Sequence, residues 1–134
     1  MTDDSARILV IDDDPAVLST VRRILERAGH EVLDAQDGRE GLSLARREDP
    51  DLIITDLIMP EMEGIETIRT LREELPGVKI IAVSGGGAMG PGTYLTDAEI
   101  LGADRALAKP FTPAQLVDLV ESLLMEEEDR AVGT

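Results

Sequence analysis

Short runs of consecutive aliphatic residues alternate along this chain with longer stretches in which apolar residues return at every third or fourth position. The runs read as strands at Arg7 to Ile11, Glu31 to Ala35, Leu52 to Thr55, Lys79 to Val83 and Arg105 to Ala108, because aliphatic and β-branched side chains suit a pleated, buried surface. Between them, Val17, Leu18, Val21, Ile24 and Leu25 in the first stretch and Ile65, Ile68, Leu71 and Leu75 in the third fall on one face of a helix. The punctuation agrees. Asp14 before Pro15 and Thr112 before Pro113 read as N-cap plus first-turn proline, and Gly29 and Gly102 stand where helices should stop. The predicted order is βαβαβαβαβα, with a fifth helix from about Pro113 to Leu124 and the run Glu126 to Asp129 read as a solvated tail.

Strands this apolar, alternating with helices, predict an α/β fold with a parallel sheet covered on both faces and right-handed crossovers. In such sheets ligands bind beyond the carboxyl ends of the strands. Residues that follow a strand are therefore site candidates: Asp12, Asp13 and Asp14 after the first, Asp56 after the third, Ser84 after the fourth and Lys109 after the fifth.

Composition narrows the partners. At 134 residues with 43% hydrophobic content the chain is expected to fold as one unit over residues 1–125, followed by an acidic tail over 126–134. A formal charge of −15, from 13 basic and 28 acidic residues, opposes direct contact with nucleic acid or an anionic membrane surface. There is no cysteine, no charged-then-apolar leader and no apolar run of membrane-spanning length, so the plain expectation is a cytoplasmic protein. His30, the only histidine, lies in the short link RAGHEV and reads as a surface residue, which argues against the chain being a phosphohistidine donor itself.

Several carboxylates meeting at one edge repel one another and call for a cation; oxygen ligands of this kind suit Mg²⁺, with Mn²⁺ able to substitute. One carboxylate, freed from that repulsion, can take a phosphoryl group while a lysine and a hydroxyl hold the transferring oxygens. Only two lysines stand against eleven arginines, yet Lys109 falls at a strand end, where a compact point charge can pair with phosphate.

The segments ILVIDDDP, DLIITDLIMPEMEG, IIAVSGG and ALAKPF resemble, in order and spacing, the receiver domain of bacterial two-component response regulators, over residues 6 to 125. The resemblance implies a flavodoxin-like (CheY-like) doubly wound (βα)5 three-layer sandwich with strand order 2-1-3-4-5. It implies that Asp56 takes a phosphoryl group from a sensor histidine kinase or a histidine phosphotransfer protein, the chain catalysing only its own phosphorylation and dephosphorylation. Asp12 and Asp13 would be the acidic pair around Mg²⁺, with Asp13 a direct ligand beside Asp56 and the backbone carbonyl of Ile58. Ser84 would be the switch hydroxyl and Lys109 the phosphate partner, and Pro110 matches a proline usually preceded by a cis bond. Asp14 is left as a helix cap.

Two departures from the family pattern stand out. Ala106 occupies the position where many receivers carry a Tyr or Phe that moves inward on activation, so the aromatic relay is missing and only Tyr94 and Phe111 remain as aromatic side chains. The segment SGGGAMGPGTYL, residues 84–95, has five glycines, among them Gly85, Gly86 and Gly87, and is expected to be the part that moves when Ser84 engages phosphate. Neither Ile58 nor Gly86 offers a side chain to orient a water, so slow self-dephosphorylation is expected. With about ten residues after the fifth helix and Met1 before a short polar leader, the chain reads as a stand-alone receiver. Its phosphodonor is expected near the first helix, and a downstream protein target or a second copy near helix four, strand five and helix five.

A rival resemblance is to haloacid-dehalogenase-like phosphatases, with Asp12 as nucleophile and Asp14 as acid. That reading leaves Asp56 without a role and lacks a later acidic pair to complete a metal site. A flavin-binding flavodoxin fits less well again, since acidic strand ends repel a phosphate. Turnover separates receiver from phosphatase: the first modifies itself once, the second releases phosphate from many molecules.

Overall fold

The structure, a computed structural model, describes residues 5–57, 64–84 and 102–133. Its strands are β1 Arg7–Ile11, β2 Glu31–Ala35, β3 Leu52–Asp56, β4 Lys79–Ser84 and β5 Arg105–Ala108. All pair in parallel, in the order β2-β1-β3-β4-β5 that the resemblance implied. The helices among the described residues are α1 Pro15–Arg27, α2 Gly38–Glu48, α3 Gly64–Glu74 and α4 Pro113–Gly133. The last is the fifth of the predicted helices; the predicted fourth lies outside the described residues, as do Ile58, Gly85, Gly86, Gly87 and Tyr94.

Side chains alternate across the sheet as the pleat demands. Leu9, Ile11, Ile53, Ile80 and Ala82 face α2 and α3, where Leu42, Ala45, Ile68 and Leu71 meet them. Ile8, Val10, Leu52, Ile54, Ile81 and Val83 face α1 and α4, against Leu18, Val21, Leu25, Leu116, Val120 and Leu123. Both faces are thus dry, which is why the strands read as unbroken apolar runs.

Local chemistry places the helix starts. The Asp14 carboxylate accepts from the Ala16 amide at 2.9 Å, capping α1. Asp37 does the same for α2 from Glu40 at 2.8 Å. At α4 a reciprocal capping box forms: Thr112 Oγ1 accepts from the Gln115 amide at 3.0 Å, and Gln115 Oε1 accepts from the Thr112 amide at 2.8 Å. Beyond α1, Gly29 donates to Glu26 O and His30 to Leu25 O, at 3.0 and 3.1 Å, a Schellman closure.

Three expectations need correction. The C-terminal helix does not stop near Leu124 but runs to Gly133, since Glu126, Glu127, Glu128, Arg130 and Ala131 are good helix formers and Gly133 is the first glycine after Leu124. The acidic run thus continues the helix rather than opening a tail. Asp56 and Ser84 are the last residues of their strands, one position later than expected. His30 is not a surface residue, its side chain being 1% exposed. Its Nδ1 accepts from the Ala6 amide at 3.0 Å, so the proton sits on Nε2, which donates to Glu121 Oε2 at 2.7 Å. The ring pins the chain before β1 to α4, at the sheet end opposite the carboxylates.

Candidate functional site

Four side chains meet at the carboxyl edge of the sheet. Asp12 follows β1, its amide donating to Ala35 O at 3.1 Å so that the ladder with β2 reaches the site. Asp56 ends β3, and Leu57 beyond it donates to Val83 O at 2.9 Å, holding β3 against β4 at the point where the acid emerges. Asp12 and Asp56 are buried and Asp13 is exposed, and carboxylate oxygens of all three lie within 4.8 Å of one another. Lys109 reaches in from the end of β5. Its Nζ donates to Asp12 Oδ2 at 3.0 Å and stands 3.8 Å from Asp56 Oδ2. Asp12 Oδ1 meanwhile accepts from the Asp14 amide at 2.9 Å, which fixes the carboxylate plane.

Ser84 ends β4 in register with Ala108, so its backbone stands at the same edge. Its side chain lies outside the description, as does the Ile58 carbonyl. The Lys109–Pro110 bond is cis, as the resemblance implied. Ala106 pairs with Ala82 in the β4–β5 ladder and is half-buried. Asp14 is taken up by the α1 cap and stays outside the carboxylate group.

Burial works against the Lys109 ammonium, but the hydrogen bond to Asp12 and the charges of Asp56, Asp12 and Asp14 outweigh it, and its pKa lies above the ordinary lysine value. It is a fixed cation across the physiological range. The stability its pairing adds is present below the unfolded lysine pKa and is lost only as pH rises through the raised one. One ammonium against three carboxylates leaves two negative charges uncompensated, and the donors are all hard oxygens. That charge and that donor set fit a divalent cation of the Mg²⁺ type.

Beside Lys109, an apolar groove of about 480 Å³ runs between α1 and the start of α4, lined among others by Val17, Thr20, Ile24, Phe111 and Pro113. Periodicity did not single it out, because it is the rim of two apolar faces rather than a motif; Val17, Ile24 and Phe111 are only partly buried in the adjoining core.

A family model described as the response regulator receiver domain matches residues 8–121. The chain belongs to the response regulator receiver family. This receiver is 38% identical over 118 residues to response regulator MprA of Mycolicibacterium vanbaalenii, covering 88% of the chain and 50% of that protein. It is 33% identical over 129 residues to the alkaline phosphatase synthesis transcriptional regulatory protein PhoP of Bacillus subtilis, covering 91% and 50%. The chain thus spans about half the length of the curated relatives it matches. Among solved structures, a CheY-like receiver domain protein of Methanospirillum hungatei superposes with a TM-score of 0.86 at 34% identity, covering 92% of this chain and 97% of that one. Chemotaxis response regulator CheY4 of Vibrio cholerae gives 0.79 at 31%, covering 88% and 98%. The receiver has the phosphoacceptor signalling role of its family. Among the described residues no helix is long and apolar enough to cross a membrane.

Proposed function

We propose that Asp56 is the phosphoacceptor of this receiver, with Lys109 and the Ser84 hydroxyl as partners of the phosphoryl oxygens. The observation that carries the reading is the convergence of Asp12, Asp13 and Asp56 within 4.8 Å of one another, with Lys109 reaching the same point. An Asp56 carboxylate oxygen attacks the phosphorus of a phosphohistidine; the P–N bond breaks with its electron pair returning to the imidazole nitrogen, leaving an acyl phosphate on Asp56. A divalent cation held by Asp12, Asp13 and Asp56, with the Ile58 carbonyl that the family resemblance adds, would neutralise charge on the acceptor and on the phosphoryl oxygens. Lys109, already in place, needs no reorganisation to meet an incoming phosphate. The phosphodonor is a sensor histidine kinase or histidine phosphotransfer protein that docks near α1, where the apolar groove beside Lys109 offers it a surface. The output passes to a downstream protein or a second copy, through a switch that has no aromatic at Ala106.

The test is intact mass after incubation with acetyl phosphate. One phosphoryl adduct that requires Mg²⁺ and maps to the peptide containing Asp56 is expected; steady phosphate release without an adduct would point to a phosphatase instead.

Lys109 also acts as the site's resident cation before metal arrives. Its removal frees Asp12 and Asp56 for the ion, so Lys109→Met is expected to bind Mg²⁺ roughly tenfold more tightly, about 1.4 kcal/mol, while phosphorylation slows. With no tryptophan in the chain, calorimetric titration is the suitable readout. An unchanged or weaker affinity would show that Lys109 does not compete for those carboxylates.

A further inference from the structure

β5 leads into Lys109, yet among the described residues it is the least supported strand of the sheet. It has four residues, ends the strand order, pairs among those residues with β4 alone and has no fully buried side chain. Its sequence RALA offers two alanines and one leucine, a weak hydrophobic signal for register. A slip of one residue would displace Lys109 by about 3.3 Å along the strand, more than the whole of its contact to Asp12.

A polar clamp stands at the start of this strand. Arg72, near the end of α3, donates from Nε and Nη2 to Gly102 O at 3.0 and 2.8 Å, and from Nη1 to Pro76 O and Val78 O at 2.9 and 2.8 Å. Its Nη2 also meets Asp104 Oδ2 at 2.7 Å, and the same oxygen accepts from the Ile80 amide at 2.8 Å. The Asp104 amide returns a bond to Ile80 O at 2.8 Å. One guanidinium therefore ties the residues entering β4 to the residues entering β5. Only a planar fork can serve four separate oxygens in this way. Gly102 completes the clamp: at φ +128° it adopts a backbone that L side chains rarely take, and a Cβ there would lie 3.1 Å from Arg72 Cγ.

We infer that Arg72, working with Asp104, is a positioning residue for phosphoryl transfer: it sets the register of β5 on β4 and so holds Lys109 against Asp12 and Asp56. The inference rests on the role given to Lys109 above. Arg72 touches no reacting atom; it acts at the opposite end of the strand that delivers one.

Three variants disturb the clamp in different ways: Arg72→Lys keeps the charge without the fork, Gly102→Ala crowds the arginine stem, and Asp104→Asn keeps the shape without the charge. Each is compared with Lys109→Met and with Leu25→Ala, which loosens the core on α1 far from the clamp, under conditions where circular dichroism shows all to be folded. The clamp variants are expected to slow phosphorylation by acetyl phosphate by roughly 10- to 100-fold, the cost of misplacing one group by about an ångström, and to bind Mg²⁺ more tightly, as Lys109→Met does. Combining Arg72→Lys with Lys109→Met should add no further loss. Leu25→Ala should leave Mg²⁺ affinity at the wild-type value. Clamp variants that behave like Leu25→Ala, or whose losses add to that of Lys109→Met, overturn the inference while leaving Lys109 in its role. If Lys109→Met itself phosphorylates at the wild-type rate, the reading of Lys109 falls and the inference falls with it.

Discussion

Asp56→Asn is expected to carry no phosphoryl adduct at any concentration of acetyl phosphate or Mg²⁺, while folding as well as the wild type. The carboxamide presents no anionic oxygen to attack phosphorus, so the covalent step is removed outright rather than slowed. The same change lowers the charge at the site: three carboxylates within 4.8 Å of one another become two, facing one lysine. Relief of that repulsion offsets the lost 3.8 Å contact to Lys109, so the urea midpoint should hold or rise. Intact mass and a denaturation curve on the same preparation check both halves. An adduct that persists in Asp56→Asn would move the acceptor to Asp12 or Asp13 and sink the assignment. An adduct lost together with the fold would mean that Asp56 holds the structure rather than the phosphate.

The acidic edge was legible because two general rules coincide there. Apolar runs that alternate with amphipathic stretches imply a parallel sheet, and a parallel sheet gathers whatever follows its strands. Asp12, Asp13, Asp56 and Lys109 could therefore be brought together from positions up to 97 residues apart, and the structure places them within reach of one another. The caps at Asp14 and Thr112 were legible for a local reason, since each bond spans two or three residues.

What escaped was contact decided by partners distant in sequence and lacking any motif. Arg72 sits on a helix among charged neighbours, where a solvated face is the ordinary reading, and nothing in LREELPG announces that its guanidinium turns toward Gly102 and Asp104. His30 looked like loop chemistry because its partners, Ala6 and Glu121, lie 24 and 91 residues away. Gly41 is the same case in the core. In a helical stretch it reads only as a weak spot, yet a Cβ there would lie 2.4 Å from Ile11 Cδ1, so the glycine lets α2 close on β1, the strand that leads into Asp12. Period reveals which face is buried, not what stands against it.

The largest effect on stability is expected from Ile53→Ala. Ile53 is fully buried on β3, the central strand, between Leu9 of β1 and Ile80 of β4, in the cluster that receives α2 and α3. With ladders on both sides the backbone cannot collapse into the space left by the lost carbons, so the cavity term adds to the transfer term and the cost is about 2–5 kcal/mol. Against a total of roughly 5–15 kcal/mol for a domain, that is a large share, and the urea midpoint should fall with the slope unchanged. Ile53→Val removes a single methylene and should cost only about 0.5–1.5 kcal/mol. The ratio between the two variants is the informative quantity. A steep rise from Val to Ala means that β3 is a rigid bar holding Asp56 at a fixed height above the sheet; near-equal, small losses would mean that the layer of α2 and α3 can settle onto the strand. In the rigid case the folded fraction of Ile53→Ala should still take phosphate at the wild-type rate, because the ladder from Asp56 to Val83 does not depend on the side chain three residues back.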